Sequence, residues 1–100
     1  MDTPDTSTAV EMALDITRRM YELAMRGEWI AMLELDRTRQ PLLGRLRDAP
    51  PAAACVPLMR ELLSRNEQLL TMCAQAQVEM RKAMQTAGRG RRAARAYTRA

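Results

Sequence analysis

Apolar side chains recur at steps of three and four along positions 57–87, the longest helical pattern in the chain. At about 100° per residue these positions fall on one stripe, and the opposite side carries mostly charged and amide groups. Pro57 suits the first turn of a helix, and Gly88 suits the residue after its last turn. The wide stripe predicts a long helix packed against two others. Its members are Met59, Leu62, Asn66, Leu69, Cys73, Ala76, Met80, Ala83 and Ala87.

Two amphipathic segments precede this pattern. The first covers residues 9–26, and Thr8 with Glu11 has the spacing of a capping box at its start. Gly27 ends the first segment, and the second covers residues 28–47. Because so little chain separates the two, they are expected to form a tight antiparallel hairpin.

Pro41 lies inside the second amphipathic segment. A proline there removes one backbone hydrogen bond and pushes against the carbonyl four residues back. We expect a bend near residues 37–40, since the apolar stripe keeps its phase across them. The alternative is that the helix breaks and restarts at Pro41.

These patterns predict an all-α fold, a small antiparallel three-helix bundle made of a helical hairpin and one long helix. Residues 1–7 are expected to be a flexible N-terminus and residues 8–87 the bundle domain. Residues 88–100 are a short basic C-terminal segment. Its two glycines weaken helix formation, although the segment can become helical when docked.

The net charge of +4 conceals an uneven distribution. Residues 1–80 hold nine Arg and twelve acidic residues, whereas residues 81–100 hold six Arg, one Lys and no acidic residue. Such a basic tail is typically solvated or directed at a protein partner. The alternative is a nucleic-acid-associated protein whose tail neutralises phosphates. The tail has only one aromatic residue, Tyr97, which makes this alternative the weaker one.

The residue types that carry most enzyme chemistry are missing or isolated. The chain has no His, and Cys55 and Cys73 have neither CxxC spacing nor a His to activate them. We therefore expect no catalysis, metal site or cofactor. No apolar run reaches the roughly 18 residues of a membrane span, and the polar N-terminus does not resemble a signal peptide. The sequence predicts a cytoplasmic protein with free thiols.

Three polar side chains interrupt the apolar face of the second helix: Asp36, Arg39 and Gln40. One interpretation is a local ion pair at the edge of the bundle, which stabilises little. The other is a polar cluster that faces Asn66, the polar residue on the stripe of the long helix. Such a cluster would set the register of the helices.

The predicted third helix exceeds its neighbours by about 11 residues, or about 16 Å, at its C-terminal end. Methionines there can be ordinary core, or they can form an exposed surface suited to binding helices. We predict a groove for an apolar partner helix, lined by Leu63, Leu70, Met80 and Met84.

The basic tail is predicted to act on that groove. Two glycines allow the tail to fold back and cover the groove in the free protein; alternatively, the tail contacts the partner. The residues concerned are Arg91, Arg92, Arg95 and Tyr97. A third interpretation is a structural homo-oligomer such as a homodimer, in which the broad apolar arc of the first helix pairs with its own copy.

Three stretches of the sequence resemble the FliT family of flagellar export chaperones. They are GEWIAMLELDRTRQPLLGRL at Gly27–Leu46, LLSRNEQLLTMCAQAQVEMRKAM at Leu62–Met84, and GRRAARAY at Gly90–Tyr97. Their order and spacing cover nearly the whole chain. Two features depart from the family pattern, namely Pro41 and a C-terminal segment shorter than a full fourth helix.

The resemblance implies a cytoplasmic helical chaperone of type III flagellar export. Its substrate would be the filament-cap protein, held by its C-terminal region until delivery to the export ATPase complex. Some members of the family also restrain the master transcriptional regulator of flagellar genes. In the family, a fourth helix covers the binding surface of the free chaperone.

Overall fold

Three α-helices make up most of the computed structural model, which describes residues 6–98. No strand occurs within those residues, so the predicted all-α fold is confirmed. The elements in chain order are α1 (Thr6–Met25), α2 (Trp29–Asp48), a short 3-10 helix (Ala53–Cys55) and α3 (Val56–Thr98).

The chain divides into two compact units, Met1–Leu70 and Thr71–Ala100. The first unit contains α1, α2 and the beginning of α3. The second unit contains the remainder of α3. The division falls well before Gly88, where the sequence pattern placed the end of the bundle domain.

The turn between α1 and α2 is set by one glycine. Gly27 has φ of +73°, the left-handed conformation that glycine adopts without a steric penalty. The Glu28 N–H donates to the Leu23 carbonyl at 2.9 Å, and the Gly27 N–H donates to the Ala24 carbonyl at 3.0 Å. This pair of bonds is a Schellman motif, which satisfies carbonyls at the end of α1. The predicted turn at Gly27 is confirmed.

The other predicted helix signals are corrected in part. Thr8 lies inside α1, which begins at Thr6, so Thr8 cannot be its cap and the capping box with Glu11 is wrong. The residue before α1 lies outside the described part of the chain. Pro41 lies within an unbroken α2, so a restart at Pro41 is also wrong. The carbonyl of Arg37 loses its partner there, and because Arg37 is exposed, water can replace that hydrogen bond.

The end of α3 differs most from the sequence prediction. The helix does not stop at Ala87 but continues through Gly88 and Gly90 to Thr98. Gly27 is the only residue with positive φ among those described, so Gly88 does not form a left-handed cap. A helical glycine is unfavourable by about 1 kcal/mol relative to alanine, but the neighbouring Ala and Arg residues are strong helix formers. The turn at Gly88 and Gly90, which the predicted folding back of the basic tail required, is therefore absent.

The core of the first unit is formed by all three helices. Most of the apolar arc of α1 is buried inside this core, which leaves little of it for pairing with a second copy. Leu62 and Leu69 are 3% and 4% exposed, so their predicted burial is confirmed. Both cysteines are free thiols, as expected. The main cluster consists of Ala9, Val10, Ala13, Leu14, Leu42, Leu46, Cys55 and Leu62.

Two surface contacts also join α1 to α3 within the first unit. Arg18 pairs with Glu61 at 2.6 Å, and the guanidinium of Arg65 lies 5.2 Å from the centre of the Tyr21 ring. The Arg18 and Glu61 side chains are partly exposed, so solvent limits that pair to at most about 1 kcal/mol. Apolar burial therefore accounts for most of the attachment of α3.

Two adjacent leucines test this packing. Leu69→Ala should lower the free energy of unfolding by about 2–5 kcal/mol, because it leaves a cavity in the core. Leu70→Ala should change it by less than about 0.5 kcal/mol, since Leu70 is 63% exposed. Urea unfolding followed by circular dichroism measures both, and equal effects would contradict the packing of α3.

Glycine-to-alanine substitutions test the course of α3. Gly88→Ala and Gly90→Ala should each favour helix by about 1 kcal/mol, because an added Cβ meets no atom closer than 3.8 Å at either position. Gly27→Ala should instead cost about 1–2 kcal/mol, because its φ is positive. Amide hydrogen exchange around residues 84–95 and urea unfolding give the two readouts. Faster exchange in Gly88→Ala would show that the helix ends at Gly88.

Candidate functional site

Arg39 is a buried arginine whose side chain contacts all three helices. Only 6% of the residue is exposed. Its Nε and Nη2 donate to Asp36 Oδ1 at 3.1 and 2.7 Å. Its Nη1 donates to Thr17 Oγ1 on α1 and to Asn66 Oδ1 on α3, both at 3.1 Å. The guanidinium therefore connects α2 to both neighbours.

The partners of Arg39 are themselves held by hydrogen bonds. Gln40 Nε2 donates to both carboxylate oxygens of Asp36 at 3.1 and 3.2 Å. The Thr17 hydroxyl donates to the Ala13 carbonyl at 2.7 Å, which leaves its lone pairs for Arg39. Within residues 6–98, no buried side-chain nitrogen or oxygen lacks a partner. The charge of Arg39 is thus compensated by a complete network.

The structure brings together the four residues that the sequence grouped as a polar cluster. Arg39 contacts Asp36 within α2 and Asn66 across the helix interface, so the local ion pair and the cross-helix contact coexist. Thr17 is a fifth member that sequence reasoning missed. Its signal was a hydroxyl on the buried stripe of α1, between Leu14 and Met20. The role of the cluster in setting register stays a prediction.

A buried charged network is weak evidence for net stability, because the cost of desolvation offsets much of the attraction. Removing Arg39 would leave Thr17, Asn66 and Asp36 without the donor around which they are arranged. Other helix registers would break these same contacts and leave a buried guanidinium unpaired. We therefore predict that the network penalises alternative packings more than it stabilises the native one.

An open groove lies beside this cluster, between α2 and α3 of the first unit. Its volume is about 330 Å³, and Leu63, which is 59% exposed, forms part of its wall. Its lining combines apolar side chains with four polar ones, which include Arg39 and Asn66. Its lining residues are Arg39, Gln40, Leu43, Leu46, Arg47, Met59, Leu62, Leu63 and Asn66.

Leu70 extends the apolar surface of α3 in the first unit. It lies seven residues after Leu63, which places the two side chains on the same side of the helix, and it is 63% exposed. Two large exposed leucines on one helical face are available to an apolar ligand. The name leucine surface is used below for Leu63, Leu70 and the residues that line the groove.

The remaining predicted contact residues belong to the second unit. Met80 and Met84 are 58% and 67% exposed, so they are not core residues. Arg91, Arg92 and Arg95 are exposed on the same helix, whereas the side chain of Tyr97 lies outside the described part of the chain. Because α3 is unbroken at Gly88, these residues continue the helix that carries Met80 and Met84.

The described residues show no arrangement suited to metal binding or membrane insertion. No group of three or more His, Cys, Asp or Glu side chains in residues 6–98 is placed to hold a metal ion. None of the helices described there has both the length and the apolar character needed to cross a bilayer.

Comparison with known protein families agrees with this description. The family described as Flagellar protein FliT matches residues 8–99, nearly the entire chain. The chain belongs to the FliT family. Membership in the FliT family implies a flagellar export chaperone, and the resemblance seen in the sequence is confirmed. No curated protein matches the chain, nor does any solved structure.

A double-mutant cycle tests the Arg39 network. Arg39→Ala should lower the free energy of unfolding by about 3–5 kcal/mol, because it removes one partner from a buried charged network. Asn66→Ala should lower the free energy of unfolding less in the Arg39→Ala background than in the wild-type chain. The difference should be about 0.5–3 kcal/mol. Arg37→Ala is the control, since Arg37 is exposed on the same helix. Additive effects of Arg39→Ala and Asn66→Ala in urea melts would show that this bond does not couple α2 to α3.

Proposed function

We propose that this FliT-family chain is a cytoplasmic chaperone of type III flagellar export that binds the C-terminal region of the filament-cap protein. It keeps that protein unassembled and delivers it to the export apparatus, including the export ATPase complex. The observation that carries the proposal is the open apolar groove beside Leu63 in the first unit.

The groove suits an amphipathic helix better than a small ligand. Its opening between two helices, with exposed leucines on one wall, is typical of helix-in-groove recognition. A partner helix would place apolar side chains against Leu43, Leu46 and Met59 while it covers Leu63. Fully burying one large apolar side chain is worth about 1.5–3 kcal/mol, so a few such contacts contribute substantially to affinity.

Met80 and Met84 supply a second apolar surface in the proposal. Methionine side chains are flexible and polarisable, so they adapt to partners of differing shape. Both residues are more than half exposed. In this proposal the leucine surface is the principal site, and the methionines contribute additional contacts to the same partner protein.

Binding by burial explains how such a chaperone would prevent assembly. A helix held in the groove cannot at the same time pack against copies of itself, so the population able to assemble falls by mass action.

Calorimetry with the purified C-terminal region of the filament-cap protein from the same organism tests the proposal. Leu63→Glu and Leu70→Glu should each weaken binding by about tenfold or more, since a carboxylate would be buried against apolar surface. Met80→Glu combined with Met84→Glu should also weaken it. Ile30→Glu is the matched control, because Ile30 is 78% exposed and does not line the groove.

Circular dichroism confirms that each variant remains folded. Unchanged binding by Leu63→Glu would place the site elsewhere, and no binding by the wild-type chain would refute the choice of partner. The flagellar master transcriptional regulator is included as a second ligand in the same titrations. Its binding would extend the proposal to restraint of flagellar transcription.

A further inference from the structure

Apolar and cationic side chains share one face of the second unit. Counting from Met80, helical geometry at about 100° per residue places Met84, Arg91 and Arg95 within an arc of about 60°. All four residues are exposed, and α3 is helical throughout this stretch. We call them the methionine–arginine face. It begins with two thioethers and ends, about two turns later, with two guanidinium groups.

The concentration of positive charge is not explained by the helix itself. Residues 81–98 contain five Arg and one Lys and no acidic residue. Cations are favourable near a helix C-terminus, but the effect is confined to the last turn, where only Arg95 lies. Arg81 and Lys82 are more than four turns before the end of α3. Like charges three or four residues apart, as at Arg91 and Arg95, destabilise an isolated helix.

A second copy that packed its corresponding segment against this one would not relieve that repulsion. Its corresponding segment carries the same cations, and Glu79 is the only acidic residue from position 71 to the end. Nucleic acid would supply negative charge but offers little to Met80 and Met84, which are aligned with the arginines. The ligand that matches both halves of the face has apolar side chains followed by carboxylates.

We propose that the methionine–arginine face binds an acidic amphipathic helix. The apolar side chains of that helix contact Met80 and Met84, and its carboxylates pair with Arg91 and Arg95 through bidentate hydrogen bonds. The inference rests on the proposed chaperone function and names the chemistry of the partner segment. It also assigns the basic end of α3 to partner binding, in place of a cover.

The test uses the full chain and a synthetic helical peptide. The peptide carries Leu at i, i+3, i+4 and i+7, and Glu on the same face about two turns further along. A second peptide has every Glu replaced by Gln. Fluorescence anisotropy should show that the Glu peptide binds at least about tenfold more tightly, with an affinity that falls as salt rises from about 50 to about 200 mM. Equal binding of the two peptides would overturn the inference.

Two charge reversals of equal size locate the contact. Arg91→Glu with Arg95→Glu should weaken binding of the Glu peptide by about tenfold or more. Lys82→Glu with Arg89→Glu removes the same charge from the opposite side of α3 and should change affinity only about twofold, through the general field. Equal losses would show that net charge, and not this face, attracts the peptide. Arg91→Gln with Arg95→Gln removes the two charges without introducing carboxylates, so it should also weaken binding if the charge-reversed variant misfolds. Circular dichroism checks the folding of all three double variants.

Two further measurements decide between occupants. Tight binding of random duplex DNA or single-stranded RNA at about 0.15 M salt, weakened equally by both reversals, would overturn the inference in favour of nucleic acid. Dimerisation in sedimentation equilibrium that Met80→Glu with Met84→Glu abolishes would overturn it in favour of a second copy. A monomer with no such nucleic-acid binding supports the proposed occupant.

Titrations with the filament-cap protein separate this inference from the proposed function. If Leu63→Glu abolishes cap-protein binding while Arg91→Glu with Arg95→Glu leaves it unchanged, the chaperone function stands and the inference fails. If the Glu peptide binds in the manner described and the cap protein does not bind at all, the inference about the methionine–arginine face stands and the proposed partner is wrong. Loss of cap-protein binding in both variants supports both.

Discussion

The first unit depends on one buried guanidinium. Arg39 on α2 holds Thr17 of α1 and Asn66 of α3 with the same terminal nitrogen, while Asp36 balances its charge. Leucine and alanine faces alone would pack in several registers, because apolar contact is not directional. A planar group with fixed donor directions can discriminate among those registers, and we predict that Arg39 does so here. The apolar core supplies the stabilisation.

The Arg39 network also borders the groove between α2 and α3. Arg39 and Asn66 both line it, so the hydrogen bond between them joins the two walls that carry Leu43 and Leu63. In the proposed function, a groove that is already formed in the free protein would require less ordering when a partner helix enters. The contact that holds α2 to α3 is therefore also part of the groove proposed as the binding site of this FliT-family chain.

Sequence periodicity predicted the helices, and it offered the juxtaposition of Arg39 with Asn66 as one of two interpretations, because both residues interrupt the apolar faces of their helices. It failed where one residue type supports two outcomes. Gly27 and Gly88 both follow helical patterns, yet only Gly27 has positive φ, since Gly88 is followed by strong helix formers. Thr17 was overlooked because its hydroxyl can be satisfied by a carbonyl of its own helix. The sequence does not show that a donor from another helix, Arg39, also contacts it.

The groove and the basic end of α3 were harder to predict for a different reason. A groove depends on the gap between two helices, and spacing along the chain carries no information about that gap. The exposure of Met80 and Met84 followed from helix length, although the helix extends further than the pattern indicated. The alignment of arginines with methionines becomes visible only once α3 is known to pass through both glycines.

The three-residue turn at Gly27 also has a consequence for the order of folding. Contacts between α1 and α2 close short loops around this turn, so they lose little chain entropy and can form early. The Arg39 bond to Asn66 closes a loop of 27 residues and depends on the arrival of α3. The bonds of Arg39 to Asp36 and Thr17 lie within the hairpin and close shorter loops, whereas its bond to Asn66 requires α3. Docking of α3 therefore completes the hydrogen bonding of a side chain that the hairpin alone leaves incomplete.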